Sequence, residues 1–319
     1  MDLFTPVVAE NRFHPNFSAT LEPTARSVRT VLQNWSDGFI DRDGKFVQEF
    51  QTTYNSSFWE LYLFAVFKEL GLQVDFDHVA PDFVLKDHPV AIEATIASNA
   101  HDDVPEWEKT LAGVLHDNLE AAYTQSIIRM SNAFHSKAGA YEGYSEQDHM
   151  DGRSYIIAIS NYGTQDFNLL GDVAMQRLLY DVRKEKEVYK ANRAPVRVGL
   201  FNDDSFAHVS AVMYSAVATF GKARALSDDK GAFVFSAVRI KDNLEPIRIV
   251  APKNEYEESL TDGLRLFTNP FASNPIDPDL FDDAGIRLFV AVKNGELLTS
   301  CHPEGDLCMR MVNQLIQKQ

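Results

Sequence analysis

The chain contains few cysteines and no apolar run long enough to cross a membrane. Only two of its 319 residues are cysteine, which is too few for a disulfide framework. The six-residue gap between Cys301 and Cys308 is also wrong for a zinc knuckle, so we expect reduced thiols in a cytoplasmic protein. No stretch approaches the roughly 18 apolar residues of a membrane-spanning helix, and the first residues lack the basic and apolar regions of a signal peptide. We therefore expect neither a membrane partner nor export.

Positive charge is also scarce. Lysine and arginine together number 30, against 46 aspartate and glutamate residues, which gives a formal net charge of −16. An acidic surface repels nucleic acid unless basic residues cluster locally, which argues against a broad, non-specific DNA-binding face. Because salt confines such fields to about 8–10 Å, a narrow basic cleft remains compatible with this charge.

The remaining composition is that of a folded protein, with 45% hydrophobic and 24% charged residues. A chain of this length can bury a core without disulfides. Local patterns divide it into three parts. We expect an N-terminal arm and a hairpin around Asp43-Gly44 over residues 1–50, a core over residues 51–165, and an α/β extension packed on that core over residues 166–319.

The pattern of the predicted core is a helix, three strands, a helix and a further strand. Apolar residues over 55–70 predict a helix that ends at Gly71. We expect the next elements to be the strands LQVDFDHV, DFVLKD and PVAIEATIA, a long helical stretch over 105–138, and the buried strand SYIIAIS. Such an order predicts an α/β fold with a mixed central sheet flanked by helices.

Beyond the core, strands and helices continue to alternate. The pattern predicts a helix near residues 254–266 and a hairpin with Asn294-Gly295 as its turn. A short helix is expected to close the chain. Six basic residues form the densest positive run, but acidic residues interleave with them, so a solvated helix is favoured over a phosphate-binding surface; they are Arg183, Lys184, Lys186, Lys190, Arg193 and Arg197.

Two acidic residues stand out in the predicted strands of the core. Asp82 follows Pro81 at the start of one strand, and Glu93 lies within the next. If residues 81–86 and 89–96 pair as a hairpin, its open end brings the two carboxylates together. Each can then offer an oxygen to a Mg²⁺ ion, which polarises a phosphoryl group and lowers the pKa of bound water.

Each of these residues also has a purely structural interpretation. Asp82 after a proline is typical of a turn or a strand entry, and Glu60 on its own is an ordinary residue of a helix surface. Glu93 is harder to explain in this way, because it lies between apolar neighbours and a buried, unpaired carboxylate is costly. A basic partner or a metal must compensate it.

The order of these residues resembles that of the PD-(D/E)XK phosphodiesterase superfamily of restriction-endonuclease-like proteins. The matching residues are Glu60 on the helix, Pro81-Asp82, and the tripeptide Glu93-Ala94-Thr95. This match covers roughly residues 55–160. The wider pattern, over most of the chain, resembles a group of bacterial hypothetical proteins with a nuclease-like core.

The resemblance implies a mixed sheet of about four central strands and cleavage of DNA, or sometimes RNA, that depends on Mg²⁺ or Mn²⁺. It implies that Asp82 and Glu93 hold the metal, and that Glu60 supports the metal waters or a second metal. Thr95 stands where the family has its catalytic lysine. Because threonine carries no cation, we expect Lys137 or Arg129, from the helix over 120–138, to replace it.

Two alternatives to a DNA-cleaving enzyme stay open at this point, and so do structural roles for other residues. A nuclease-like fold that has lost catalysis could serve as a binding or regulatory module, as Thr95 and the acidic charge suggest. The substrate could be a small nucleotide rather than a polymer. Arg129 and Lys137 could be solvated helix charges, and the residues after about 165 could form the interface of a homodimer.

Overall fold

The fold is taken from a computed structural model, which describes residues 1–100, 103–108, 119–164, 166–182, 187–229, 233–282 and 285–314. Within these ranges the α-helices are α1 (Pro15–Leu21), α2 (Arg26–Trp35), α3 (Phe46–Thr52), α4 (Tyr54–Glu69), α5 (Leu119–Ala140), α6 (Val173–Tyr180), α7 (Phe220–Leu226) and α8 (Asp279–Asp282). Short 3-10 helices cover Glu10–Arg12, Pro23–Ala25, Glu106–Glu108, Tyr141–Gly143, Asp148–Met150, Phe167–Leu169 and Asp204–Phe206.

The strands are β1 (Val74–Asp75), β2 (Phe83–Leu85), β3 (Val90–Ser98), β4 (Ser154–Tyr162), β5 (Val188–Tyr189), β6 (Pro195–Val196), β7 (Ala211–Ser215), β8 (Phe233–Ile240), β9 (Pro246–Pro252), β10 (Arg265–Thr268), β11 (Arg287–Ala291), β12 (Leu297–Thr299) and β13 (Asp306–Gln314). Eight of them form the main sheet, in the order β1-β2-β3-β4-β7-β10-β11-β12. β1, β2 and β3 form an antiparallel meander. β4 runs parallel to β3, and β7 runs parallel to β4.

This architecture confirms the predicted class, an α/β fold with a mixed central sheet between helices. The predicted helix over 55–70 is α4, and Gly71 follows it with φ +72°. All nine residues of β4 are buried, as expected for a strand with helices on both faces. The sheet also continues past the predicted boundary at residue 165, because β7, β10, β11 and β12 extend it.

The two faces of β3 contact different helices. Val90 and Ile92 belong to the hydrophobic cluster that contains the apolar residues of α4. Ala91 and Ala97 belong to a second cluster, with the apolar residues of α5 and α6. Because side chains alternate along a strand, Glu93 lies on the α5 face of the sheet.

β8, β9 and β13 form a separate three-stranded sheet. Beside it lies a buried ion cluster, in which the fully buried Lys222 of α7 pairs with Glu258. The ammonium of Lys222 also donates to the main-chain oxygens of Ser259 at 2.9 Å and Asp262 at 2.7 Å. Arg310 of β13 makes a second ion pair with Glu258, at 2.5 Å. The cluster thereby ties α7 and β13 to the segment that precedes β10.

Two expectations for the ends of the chain were wrong. The hairpin around Asp43-Gly44 is not formed, because residues 46–52 are the helix α3. The buried Phe46 and Phe50 are four residues apart, which is a helical spacing, and the carboxylate of Asp41 accepts a hydrogen bond from the Phe46 amide at 3.1 Å. The expected closing helix is the strand β13 over residues 306–314; residues 315–319 lie outside the described residues.

The expected helix near 254–266 is also absent from this described stretch of the chain, where β10 begins at Arg265. In this stretch the main-chain oxygens of Ser259 and Asp262 accept hydrogen bonds from the Lys222 ammonium instead of from the amides of a helical turn. The hairpin at Asn294-Gly295 was predicted correctly, since β11 and β12 pair antiparallel and Gly295 has φ +88°. Of the helix over 105–138, the structure shows the 3-10 helix Glu106–Glu108 and α5; residues 109–118 lie outside the described part.

We expect Lys222→Met to lower the free energy of unfolding by about 3 kcal/mol, measured by urea denaturation. The substitution keeps the apolar stem but leaves two main-chain oxygens without a donor and Glu258 with one cation fewer, and breaking a buried pair costs about this much. The control is Lys241→Met, at a half-buried lysine whose side chain makes no hydrogen bond within the described residues; it should change stability by less than about 0.5 kcal/mol. Equal effects would contradict the structural role of the cluster.

Candidate functional site

Asp82 and Glu93 lie opposite each other at the open end of the β2–β3 hairpin. The two strands pair with Phe83 opposite Ile92 and Val84 opposite Ala91, so the next step of the register places Asp82 opposite Glu93. The Ala94 amide donates a hydrogen bond of 2.7 Å to Oδ2 of Asp82. The geometry expected from the sequence for these two carboxylates is therefore present.

The site lies where β3 extends beyond the end of β2 and its edge is no longer paired. Phe83, the first residue of β2, pairs with Ile92 at the open end of the hairpin. Within the described part of the chain no other strand pairs with that edge of β3 beyond Ile92. Side chains from both faces of the sheet can meet at such an edge. This explains how Glu60, on the α4 side, comes within electrostatic reach of Asp82 and Glu93.

Lys137 reaches Glu93 from α5. Its ammonium donates to Oε1 of Glu93 at 2.7 Å, and the side chains of the two residues are 27% and 10% exposed. This ion pair offsets the cost of burying the carboxylate. Oε2 of Glu93 is buried and has no hydrogen-bond partner among the described residues, so one oxygen of the carboxylate is left uncompensated.

Burial and mutual repulsion raise the pKa values of two of the carboxyl groups. Burial raises the pKa of Glu60 to about 8, and the negative charge of Asp82 adds to this effect. Burial likewise raises the pKa of Asp82 to about 6, with a further contribution from Glu93; Lys137 and the Ala94 amide act in the opposite direction. Without a bound cation, Glu60 is therefore mostly protonated at neutral pH.

The environment of Lys137 keeps its amine charged. Burial lowers the pKa of Lys137, but the negative charge of Glu93, its hydrogen bond to that group and the charges of Asp82 and Glu60 outweigh burial, so the pKa is raised. Lys137 therefore contributes a permanent positive charge to the site.

Two tyrosines link the helix end to the strand behind it. The hydroxyl groups of Tyr144 and Tyr155 are 2.7 Å apart, and Tyr155 also donates to the main-chain oxygen of Lys137 at 3.0 Å. Burial, followed by the charge of Glu93, raises the pKa of Tyr144 above its ordinary value. These bonds hold the last turn of α5 against β4 and so fix the point from which Lys137 extends.

The loop that carries Asp82 is also held by side chains from other segments. The guanidinium of Arg42 donates to the main-chain oxygens of His78 and, at 3.3 Å, of Pro81. His149 forms a hydrogen bond of 2.8 Å with the main-chain oxygen of Ala80, and its ring stacks on that of His78 with 3.9 Å between centroids. A cavity of about 550 Å³ adjoins this loop and is lined by Asp77, His78, Val79, Ala80, Gly143, Tyr144 and Gln147.

The structure separates the two basic residues that were candidates for the missing lysine. Arg129 donates to the main-chain oxygens of Ser98 at 2.6 Å and Asn99 at 2.7 Å. Ser98 lies five residues beyond Glu93, or about 16 Å along an extended strand. Only Lys137 is brought to the carboxylates. Thr95 lies two positions from Glu93 in the same strand and thus on the same face of the sheet.

The donor set suits a hard divalent cation. Carboxylate oxygens are the ligands that Mg²⁺ prefers, and it commonly takes only one or two from the protein and keeps several waters. Asp82 and Glu93 supply these two groups, and the partnerless Oε2 of Glu93 is a free donor atom. Among the described residues, no three His, Cys, Asp or Glu side chains form a ready-made metal cluster, so the waters would complete the coordination.

Sequence reasoning missed Arg42, Tyr144, Tyr155 and the two stacked histidines. Arg42 was assigned to the arm of a hairpin that does not form. The tyrosines and histidines act through contacts between residues that are far apart in the chain, and their spacing carries no motif.

We expect the metal-free protein to lose stability as the pH rises from about 4.5 to about 8. A carboxyl group whose pKa is higher in the folded state stabilises the fold while it is protonated, and this contribution disappears as the pH rises from the unfolded pKa of 4.5 through the folded value of about 8. Urea denaturation should show a fall on the order of a few kcal/mol. Glu60→Gln should flatten this dependence above about pH 6, where Asp82 is already ionised, whereas Glu255→Gln, at an exposed position, should leave it unchanged. A parallel slope in Glu60→Gln would show that another group is responsible.

Comparison of the chain with models of protein families, with curated proteins and with solved structures finds no match. No helix among the described residues has the length and apolar character needed to cross a membrane. Evidence for function therefore comes from the residues of the site and from their geometry.

Proposed function

We propose that this protein is a metal-dependent phosphodiesterase of the PD-(D/E)XK type that cleaves nucleic acid, with DNA as the favoured substrate. The observation that carries the proposal is the contact between Lys137 and Glu93 at 2.7 Å. The motif places a lysine two residues after its second carboxylate, and here Thr95 leaves that position without a charge. A lysine from the neighbouring helix brings the missing cation to the same carboxylate.

The order of elements supports the same proposal. α4 precedes the antiparallel β1–β2–β3 meander, and α5 connects β3 to the parallel strand β4. The motif residues lie on α4, before β2 and within β3, as the resemblance requires. The two free cysteines agree with a reducing, cytoplasmic location.

Asp82 and Glu93 would hold a Mg²⁺ or Mn²⁺ ion between them. When bound, such an ion polarises a phosphoryl oxygen and lowers the pKa of its water. The Ala94 amide orients Asp82 through its bond to Oδ2, and Lys137 orients Glu93 through Oε1. Both carboxylates are therefore fixed before any ligand arrives, which reduces the cost of assembling the site.

Lys137 would act on the phosphate. An ammonium group has three donors, and only one of them is engaged with Glu93 among the described residues. The other two can contact a non-bridging phosphate oxygen or the attacking water. Because negative charge accumulates on the phosphoryl group during the reaction, a cation fixed next to it stabilises the transition state more than the ground state.

Glu60 would act from the α4 side of the site. Its pKa of about 8 means that it holds a proton at neutral pH while the site is empty of cation, and it can donate that proton in a hydrogen bond to a neighbouring oxygen. A cation held by Asp82 and Glu93 would lower the local repulsion, and Glu60 would then ionise and act as a hydrogen-bond acceptor.

We expect Asp82→Asn and Glu93→Gln to lose Mg²⁺-dependent cleavage of plasmid DNA, down to the level seen with excess chelator. Both substitutions keep the shape of the side chain but remove a charged oxygen donor. Circular dichroism and the thermal midpoint provide the folding control. Calorimetric titration with Mn²⁺ separates the alternatives: a parent protein that binds no metal at millimolar concentration supports a catalytically inactive binding module. Variants that cut as fast as the parent would disprove the site.

A second prediction tests the relocated lysine directly. Lys137→Met should lower the cleavage rate about a hundredfold, since the cation that stabilises the developing charge is lost. The double variant Lys137→Met/Thr95→Lys should recover part of this loss, because residue 95 lies on the same face of β3 as Glu93. Lys241→Met is the matched control and should cleave at the parental rate. If the double variant is no faster than Lys137→Met while its fold is intact, the equivalence of the two positions is wrong.

A further inference from the structure

A second cavity lies at the carboxyl end of β3, away from the carboxylate site. Its volume is about 990 Å³, and its described lining residues come from α5, from Arg177 of α6, from Ala100 after β3 and from the segment around β5. Glu60, Asp82, Glu93 and Lys137 are not among them. This volume is at the upper end of the range for small-molecule sites.

One end of the cavity is cationic. Arg129 is held there by its bonds to the main-chain oxygens of Ser98 and Asn99. These bonds use Nε and Nη2 and leave Nη1 without a hydrogen-bond partner among the described residues. Lys190 lies at the same end, because its ammonium donates to Oδ1 of Asn132, one turn further along α5, at 3.0 Å. A fixed guanidinium beside a lysine is the usual arrangement for binding a phosphate group.

The opposite end carries hydrogen-bond acceptors. Glu120 lies on the first turn of α5, nine residues before Arg129, and therefore about 13 Å away along the helix axis. Gln125 lies between the two ends and donates to Asp103. Glu187 also lines the cavity, but its Oε2 accepts a hydrogen bond from the hydroxyl of Tyr189. The cavity thus has Arg129 and Lys190 at one end and the exposed carboxylate of Glu120 at the other, while Glu187, three residues before Lys190, adds a second exposed carboxylate on the β5 segment.

The wall between the two ends is mainly aliphatic. Ala121 and Ile128 of α5 are seven residues apart and share one face of the helix, and Ala191 lies beside Lys190. Small aliphatic side chains offer a flat surface to a planar ring. A ligand that suits all three regions has a phosphate, a planar ring and a hydrogen-bond donor about 10 Å from the phosphate.

We propose that this cavity binds a nucleoside monophosphate. The phosphate contacts Nη1 of Arg129 and the ammonium of Lys190, the base lies against Ala121 and Ile128, and an exocyclic amino group donates to Glu120. This site is independent of the proposed phosphodiesterase activity, since it shares no described residue with the carboxylate site. It also gives a role to Arg129, which does not reach Glu93.

The experiment is a calorimetric titration of the full chain with adenosine 5′-monophosphate, adenosine and inorganic phosphate, without divalent metal. Adenosine 5′-monophosphate should bind at least about tenfold more tightly than either fragment, because both ends of the cavity contribute. Its affinity should fall as salt is added, whereas that of adenosine should not. Equal affinities for the nucleotide and the nucleoside, or no binding at millimolar nucleotide, would overturn the proposal.

One variant locates the site, and further variants serve as controls. Lys190→Met should weaken nucleotide binding at least about fivefold and leave adenosine binding unchanged, since the phosphate contact is lost while Ala121, Ile128 and Glu120 are kept. Lys241→Met removes the same charge elsewhere and should bind like the parent. Arg129→Gln removes two hydrogen bonds to main-chain oxygens at the end of β3 and can affect folding. Lys190→Met is therefore the decisive variant. Asp82→Asn should bind the nucleotide like the parent; a loss in that variant would place the nucleotide at the carboxylate site and refute the second cavity.

Discussion

The buried carboxylate of Glu93 is the constraint on which the candidate site depends. A negative charge inside a sheet is stable only if a cation or several hydrogen-bond donors compensate it. Lys137 supplies that cation from a different element, at 2.7 Å. The pairing therefore has two consequences. It makes the fold compatible with an acidic residue in β3, and it keeps a permanent positive charge next to Asp82, which the phosphodiesterase that we propose would use.

The position of the site follows from the unequal lengths of the strands. β2 has three residues and β3 has nine. β3 therefore extends beyond the end of β2, and part of its edge has no partner strand. At this edge, groups from α4, from the loop before β2 and from α5 converge, although the two helices lie on opposite faces of the sheet. A longer β2 would cover the edge and separate Glu60 from the other carboxylates. The arrangement of the chemistry is thus a consequence of strand length as much as of residue type.

The sequence predicted the features that depend on local periodicity. The apolar run of α4, the buried run of β4 and the turn at Asn294-Gly295 each carry a strong local signal, and the short β2–β3 connection brings Asp82 and Glu93 together. Arg129 and Lys137 were not distinguishable, because they lie on the same broad stripe of one helix and only the packing of α5 decides which of them reaches Glu93.

The hairpin predicted around Asp43-Gly44 was wrong because alternation over a few residues resembles a strand, whereas the spacing of Phe46 and Phe50 also suits a helix. Arg42, Tyr144 and Tyr155 act through contacts that no local pattern encodes. The assignment to a nuclease family rests on the motif residues and stays a proposal.

The raised pKa values of Glu60 and Asp82 imply that protons and cations would compete for the proposed metal site. Its carboxylates lie in a protein that already carries an excess of negative charge, and bound protons relieve their repulsion. In the phosphodiesterase that we propose, a divalent ion would replace these protons, so its affinity would increase steeply with pH. In a mildly acidic medium the chain would then keep its architecture without the cation, which separates folding from metal occupancy.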